Sequence, residues 1–165
     1  MHLNWAHVHL LFNHFPIVGA IFGLLLLAYA MIKKSEELKQ ASYWAFIIIA
    51  MIAILVFYAG TQAAEIVSKL PVVSHELIHH HKEVAQQAFI VIEILGVMSL
   101  GGLFLFRSPK RNPSLFTISL LIVAVIATGL VSWAGVRGGV IRHTEVRGDL
   151  EFLAPTDEAK PGVHT

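Results

Sequence analysis

The sequence predicts an all-α integral membrane protein, a four-helix bundle that runs up-down-up-down with both termini on the outer side. Three observations lead to this prediction. Of the 165 residues, 56% are hydrophobic and only 14% are charged, which leaves too few charges to cover a water-soluble surface. The apolar residues gather into four blocks, each close to the ~20 residues that a helix needs to cross a hydrocarbon core. Lysine and arginine are concentrated in two of the connections.

The four predicted spans cover residues 15–32, 41–66, 78–106 and 114–136, within one membrane domain of residues 1–149. Blocks that are apolar on every side are typical of helices buried in lipid rather than of half-buried soluble helices. Serines near the starts of three spans are expected to act as N-caps, namely Ser42, Ser74 and Ser114. Residues 150–165 contain two prolines and several charges and are expected to form a short solvated tail.

The charge distribution predicts the orientation. Six basic residues lie in the first and third connections, namely Lys33, Lys34, Lys39, Arg107, Lys110 and Arg111. By the positive-inside rule these connections are cytoplasmic, although three arginines after the fourth span act against this orientation. We therefore expect both termini to lie outside. The net charge of only +1 provides no field for nucleic acid.

The chain has ten histidines and no cysteine. Most of the histidines precede or open the first and third spans, and His143 follows the fourth. In an up-down-up-down bundle these positions share one end, so we expect a histidine-rich site on the outer face. The missing cysteines exclude thiolate zinc sites, cysteine-ligated iron–sulfur clusters and covalently attached haem.

Polar residues continue from the histidines toward the middle of the membrane. His79, Gln86 and Glu93 are seven residues apart, which places them on one face of the third span. Glu65 and its neighbours form a similar strip on the second span. Polar residues at that depth normally face the bundle interior. We expect Glu93, Gln86 and Glu65 to manage protons or to hydrate the site.

Two histidines on different helices can hold a b-type haem through imidazole alone. We expect His14 to be one axial ligand and a member of the triplet His79, His80 and His81 to be the other. Adjacent helical positions differ by ~100°, so few of the triplet can point inward. Continuity with the polar face of Gln86 favours His79 or His80. The predicted cofactor is one or two haems b, bound non-covalently.

The other histidines at this end, His9, His75 and His143, are expected to ligate a second haem or to support the first. A dinuclear metal site is a weaker alternative, because it requires two Glu-x-x-His motifs and the chain has one, from Glu76 to His79. There is no nucleophile elbow and no His-Glu-x-x-His motif. We therefore expect an electron-transfer protein or subunit rather than a stand-alone enzyme.

Three segments occur in the order that a known family shows: the run from His9 to Pro16, the segment from Gly60 to Glu65, and the segment from Gly135 to His143. They resemble a bacterial membrane family catalogued as domain of unknown function family 2231. Leu10 departs from the proline that members of this family usually carry. The resemblance implies four transmembrane helices in the inner membrane of a bacterium, with a role in b-type haem binding and electron transfer. It matches His9, His14 and His143 to the family's histidines.

The expected partners are the lipid bilayer and an electron donor or acceptor. The latter is a redox protein, such as a c-type cytochrome or a larger membrane complex, or it is a quinone. A homo-oligomer is compatible with the sequence. Two other functions stay open: an accessory subunit of a respiratory or photosynthetic complex, and a membrane protein that handles copper or zinc through its histidines.

Overall fold

The computed structural model describes residues 5–68, 75–105 and 114–142, which form five helices and no strand. The helices are α1 (Trp5–Phe12), α2 (His14–Lys33), α3 (Glu36–Val67), α4 (His75–Leu105) and α5 (Ser114–Arg142). Since α1 and α2 together make one kinked span, this part of the chain has four helical segments long and apolar enough to cross a membrane. The predicted all-α four-helix bundle is therefore confirmed.

The helices extend beyond the apolar blocks that predicted them. α3 begins at Glu36 rather than at residue 41, and α5 continues to Arg142 rather than ending at residue 136. Hydropathy detects only the apolar part of a helix, whereas capping decides where the helix begins. Ser35 is the N-cap of α3, where its side chain accepts a hydrogen bond from the backbone N–H of Leu38 at 3.3 Å.

The prediction that Ser42 caps a helix is wrong. Ser42 is fully buried inside α3, and its hydroxyl donates to the carbonyl of Lys39 at 2.7 Å. The first turns of α3 are polar, with an exposed ion pair between Lys39 and Glu36, so composition alone suggests a loop there. Ser114 is the first residue of α5, and Ser74 lies outside the described residues, as do residues 150–165.

The first span is kinked at Pro16. Proline has no N–H, and its ring clashes with the carbonyl of the residue four positions earlier, here Phe12. α1 ends at Phe12, and α2 begins at His14 after a single turn residue. The kink directs α1 onto α3, where Trp5 packs edge-on against Tyr58 with ring centroids 5.3 Å apart. This displacement of α1 shapes one end of the bundle.

The four long helices form a closed ring, in which each packs on its neighbour in the chain and α2 also packs on α5. The largest fully buried apolar side chains lie toward the end that holds the α2–α3 connection: Leu27, Phe46, Leu95 and Leu120. Near the same end the hydroxyls of Tyr43 and Thr117 lie 3.4 Å apart in a buried hydrogen bond between α3 and α5. We call this the packed end. The opposite end, where α1 lies and α4 begins, is the histidine-rich end.

Close helix contact toward the packed end depends on small residues. A Cβ on Gly96 of α4 would lie 2.5 Å from the Cβ of Ala50 on α3, and a Cβ on Gly23 of α2 would lie 2.5 Å from the ring of Phe46. Small residues let helix backbones approach closely, which supplies much of the packing energy where lipid removes the hydrophobic drive.

We predict that Gly96→Ala destabilises the bundle by about 1–3 kcal/mol, because the Cβ of Ala50 belongs to the backbone frame and can move only if the helices separate. Gly101→Ala is the matched control on the same helix, since a Cβ there meets nothing within 4 Å. Unfolding in detergent, followed by tryptophan fluorescence, measures both variants. Equal stability of the two variants would contradict the close contact.

Candidate functional site

A cavity of about 910 Å³ lies at the histidine-rich end, lined by α1, the start of α2, the second half of α3, the first half of α4 and the second half of α5. Its walls are mostly apolar. On one side the rings of Phe57 and Phe89 stack with centroids 4.4 Å apart. A volume near the upper end of the ~300–1,000 Å³ typical of ligand pockets suits a large cofactor.

His9 reaches from α1 to the backbone of α3 across this cavity wall. Its Nδ1–H donates to the carbonyl of Val56 at 3.1 Å. The imidazole lies directly against Gly60, where an added Cβ would be 2.9 Å from His9 Cε1. In a helix the Val56 carbonyl already accepts from the amide of Gly60. The missing side chain at Gly60 leaves room for the imidazole to approach that carbonyl as a second donor.

His81 makes the same arrangement between α4 and α5. Its Nδ1–H donates to the carbonyl of Ala134 at 3.1 Å, and an added Cβ on Gly138 would lie 3.1 Å from His81 Cε1. In both cases the glycine follows the accepting residue by four positions, which is one turn of helix. The third and fourth spans therefore make with His81 the same arrangement that the first and second spans make with His9.

The two imidazoles belong to one site. Both line the same cavity. A carbonyl oxygen can only accept, so Nδ1 carries the proton in each ring and Nε2 keeps its lone pair in the neutral form. This is the form in which histidine binds metals, with the second nitrogen held by an acceptor that fixes the ring.

The structure separates the other predicted ligands. His14 lines the cavity and is exposed. His79 and His80 are exposed beside Glu83 and are not part of the cavity wall. His75 is exposed at the first position of α4, and His143 lies outside the described residues.

The three residues expected to form a polar pathway also lie away from the cavity wall. Gln86 and Glu65 are exposed. Glu93 is half-buried, and its Oε1 is buried without a hydrogen-bond partner in the part of the chain that the structure describes. The predicted stripe of His79, Gln86 and Glu93 thus lies beside the bundle core rather than inside the cavity.

The sequence analysis favoured His79 or His80 over His81 as a haem ligand, because it took the polar face of Gln86 to point into the bundle. The apolar side of α4 gives the better signal: Ala85, Ala88 and Ile92 face the cavity and are half-buried or buried. His81 precedes them by four, seven and eleven residues, so it lies on the same helix face. The role of Gly138 has no comparable signal, because nothing in the sequence pairs it with a particular histidine.

Several polar groups line the cavity besides the two histidines, among them Lys82, His14 and Asn13. Asn13 lies at the kink between α1 and α2, and its Oδ1 is buried without a hydrogen-bond partner among the described residues. A buried acceptor left unpaired costs about 1–3 kcal/mol. The Asn13 side chain next to the cavity therefore has a buried acceptor that the described residues leave unpaired.

Comparisons of this chain with protein-family models, with curated proteins and with solved structures found no match. The resemblance of its short motifs to a known family stays a prediction.

We predict that in the cofactor-free protein the neutral form of His9 and of His81 is the Nδ1–H tautomer, because each Nδ1 faces a carbonyl acceptor. Nitrogen-15 NMR of the histidine side chains in detergent micelles distinguishes this tautomer from the Nε2–H form. His81→Ala and His9→Ala assign the two signals. An Nε2–H tautomer at either position would contradict the arrangement.

Proposed function

We propose that the cavity binds one b-type haem, which His9 and His81 would hold through Nε2, and that the protein transfers electrons in the membrane. The observation that carries this proposal is the arrangement that His9 and His81 share. Each imidazole lies against a glycine and donates Nδ1–H to a carbonyl, at 3.1 Å in both cases. Both rings line one large, mostly apolar cavity with Nε2 left for a metal.

The donor set favours haem over a bare metal ion. Catalytic zinc typically takes roughly three protein ligands, and structural zinc takes about four. Four histidines line this cavity, namely His7, His9, His14 and His81, but no three of them bring ligand atoms within 4.8 Å of one another, and no carboxylate or cysteine is found among the described residues of the lining. A haem brings its own equatorial nitrogens and needs only axial ligands, which two imidazoles supply. The cavity volume also exceeds what a single ion requires.

This assignment differs from the sequence-based hypothesis, which took His14 with His79 or His80 as the axial pair. His79 and His80 belong to a different face of α4 from the cavity. His14 lines the cavity but makes no backbone hydrogen bond like that of His9 among the described residues, and we give it a different role. Together with Lys82, it supplies cationic or donor groups for the carboxylates of a tetrapyrrole.

A bound haem supplies an iron that accepts and releases one electron. The carbonyls of Val56 and Ala134 hold the imidazoles in one orientation and raise the basicity of Nε2. The stacked rings of Phe57 and Phe89 exclude water from one side. Because hydrogen bonds to backbone carbonyls fix both imidazoles, the two rings would move little when the haem iron gains or loses an electron.

Electron exchange with a redox protein or a quinone is proposed at the histidine-rich end, because the cavity lies there. The loop charges support placing this end on the outer face of a bacterial inner membrane.

We predict that His9→Ala and His81→Ala each abolish the reduced-minus-oxidised absorption band of a b-type haem, because each removes an axial nitrogen. His80→Ala is the matched control, adjacent in sequence to His81 but outside the cavity wall. Spectra of the proteins purified after haem-sufficient expression test both. A wild-type protein without the band, or a band lost only with His80→Ala, would overturn the proposal.

We predict further that Gly138→Leu removes the band whereas Gly139→Leu retains it. A side chain at Gly138 would occupy the space of the His81 ring, but a Cβ at Gly139 meets nothing within 4 Å. The two variants have the same composition, so a general effect on membrane insertion would change both. Haem content per protein, measured by pyridine haemochrome, gives the comparison.

A further inference from the structure

Four titratable side chains cluster on the first two turns of α4, on a face away from the cavity. His79 Nδ1 lies 3.6 Å from Glu83 Oε1, and His80 Nδ1 lies 3.6 Å from Glu83 Oε2. On the other edge of its ring, His80 Nε2 lies 3.7 Å from Glu76 Oε1. One ligand atom from each of His79, His80 and Glu83 falls within 4.8 Å of the other two. All are exposed, so an ion could reach them without any rearrangement of the bundle.

The separations within this cluster are too long for hydrogen bonds and suit ligands that share a cation. A contact of ~3.6 Å between heavy atoms is not a hydrogen bond. Ligand bonds of ~2.0–2.2 Å in a tetrahedral arrangement place neighbouring ligand atoms roughly 3.4 Å apart. The two Nδ1···Oε separations of 3.6 Å are close to that value. Positions 79, 80 and 83 are held on adjacent turns of one helix, which limits the entropy lost on binding.

Glu76 completes the cluster in a supporting position. One imidazole can offer only one nitrogen to a given ion, and the Nδ1 of His80 faces Glu83. Glu76 lies at the opposite nitrogen, Nε2. A carboxylate there accepts the remaining N–H of a metal-binding histidine, orients the ring and makes it a stronger ligand.

We propose that His79, His80 and Glu83 bind a divalent transition-metal ion, Cu²⁺ or Zn²⁺, at a surface site separate from the cavity, with Glu76 positioning His80. Two imidazoles and one carboxylate suit these ions, whereas Mg²⁺ and Ca²⁺ prefer oxygen ligands alone. The protein supplies three ligands, and water completes the coordination. His81 is not part of this site, because its Nδ1–H is held by Ala134.

The experiment is a titration of the full-length protein with Cu²⁺, followed by electron paramagnetic resonance and by calorimetry. The protein carries a tag other than polyhistidine, and glycine is added as a weak competitor to suppress scattered binding. We expect one equivalent of Cu²⁺ with the hyperfine signature of nitrogen ligands, displaced by a large excess of Zn²⁺ but not by the same excess of Mg²⁺. The double variant His79→Ala/His80→Ala and the variant Glu83→Gln should lose this equivalent.

Two further variants distinguish a specific metal site from a general affinity of histidine for copper. Glu76→Gln should weaken binding about ten-fold or more while leaving the nitrogen signature, because it removes an orienting group and not a ligand. His164→Ala removes one histidine in the C-terminal segment and should leave binding unchanged. Absence of saturable binding, or equal loss in His164→Ala and the double variant, would overturn the proposal.

The metal-site proposal does not rest on the haem proposal, and measurements on the same samples test the two proposals separately. The substituted side chains are exposed, so helix content by circular dichroism and the b-type band are expected to be unchanged in the double variant. A protein without haem that binds Cu²⁺ through His79 and His80 would contradict only the haem proposal. A protein with the band and without the copper equivalent would contradict only the metal site.

Discussion

An imidazole can reach a backbone carbonyl inside an apolar bundle only where the facing helix has no side chain in the way. Gly60 and Gly138 provide that opening, and the carbonyls one turn before them receive His9 and His81. The hydrogen bonds fix the ring orientations, the tautomers and the distance between the paired helices. The proposed cofactor site depends on these contacts, because histidines free to rotate would not hold a cofactor in one position.

The two ends of the bundle are packed differently: the packed end is dense, and the histidine-rich end contains a cavity. Toward the packed end, small residues such as Gly96 let helices meet closely, and large side chains such as Phe46 fill the remaining core. At the histidine-rich end, the proline kink moves α1 onto α3 and leaves space among the helices. A bundle that packed closely along its whole length would have no room for a large ligand. The dense end therefore supplies stability, and the kinked end supplies the cavity.

The histidines of α4 show how one short run can face two environments. Successive residues on a helix differ by ~100°, so His79 and His80 face outward with Glu83 while His81 faces the cavity. The polar stripe that ends at Glu93 led to the prediction that His79 or His80 faces inward, because polar residues in a membrane span are expected to face the bundle interior. In this bundle the interior face of α4 is marked by alanine and isoleucine instead. The expectation that polar residues in a membrane span face inward does not hold for His79 and Gln86, which are exposed.

The sequence by itself determined the helical class, the four spans and the gathering of histidines at one end, because hydropathy and span length depend on local composition. It also excluded cysteine-based cofactors. The helix ends and the face of each histidine were decided by the tertiary structure, since capping by Ser35 and packing on neighbouring helices are not visible in composition. The pairing of His9 with Gly60 and of His81 with Gly138 joins residues 51 and 57 positions apart. Only the packing of the helices brings such distant residues into contact.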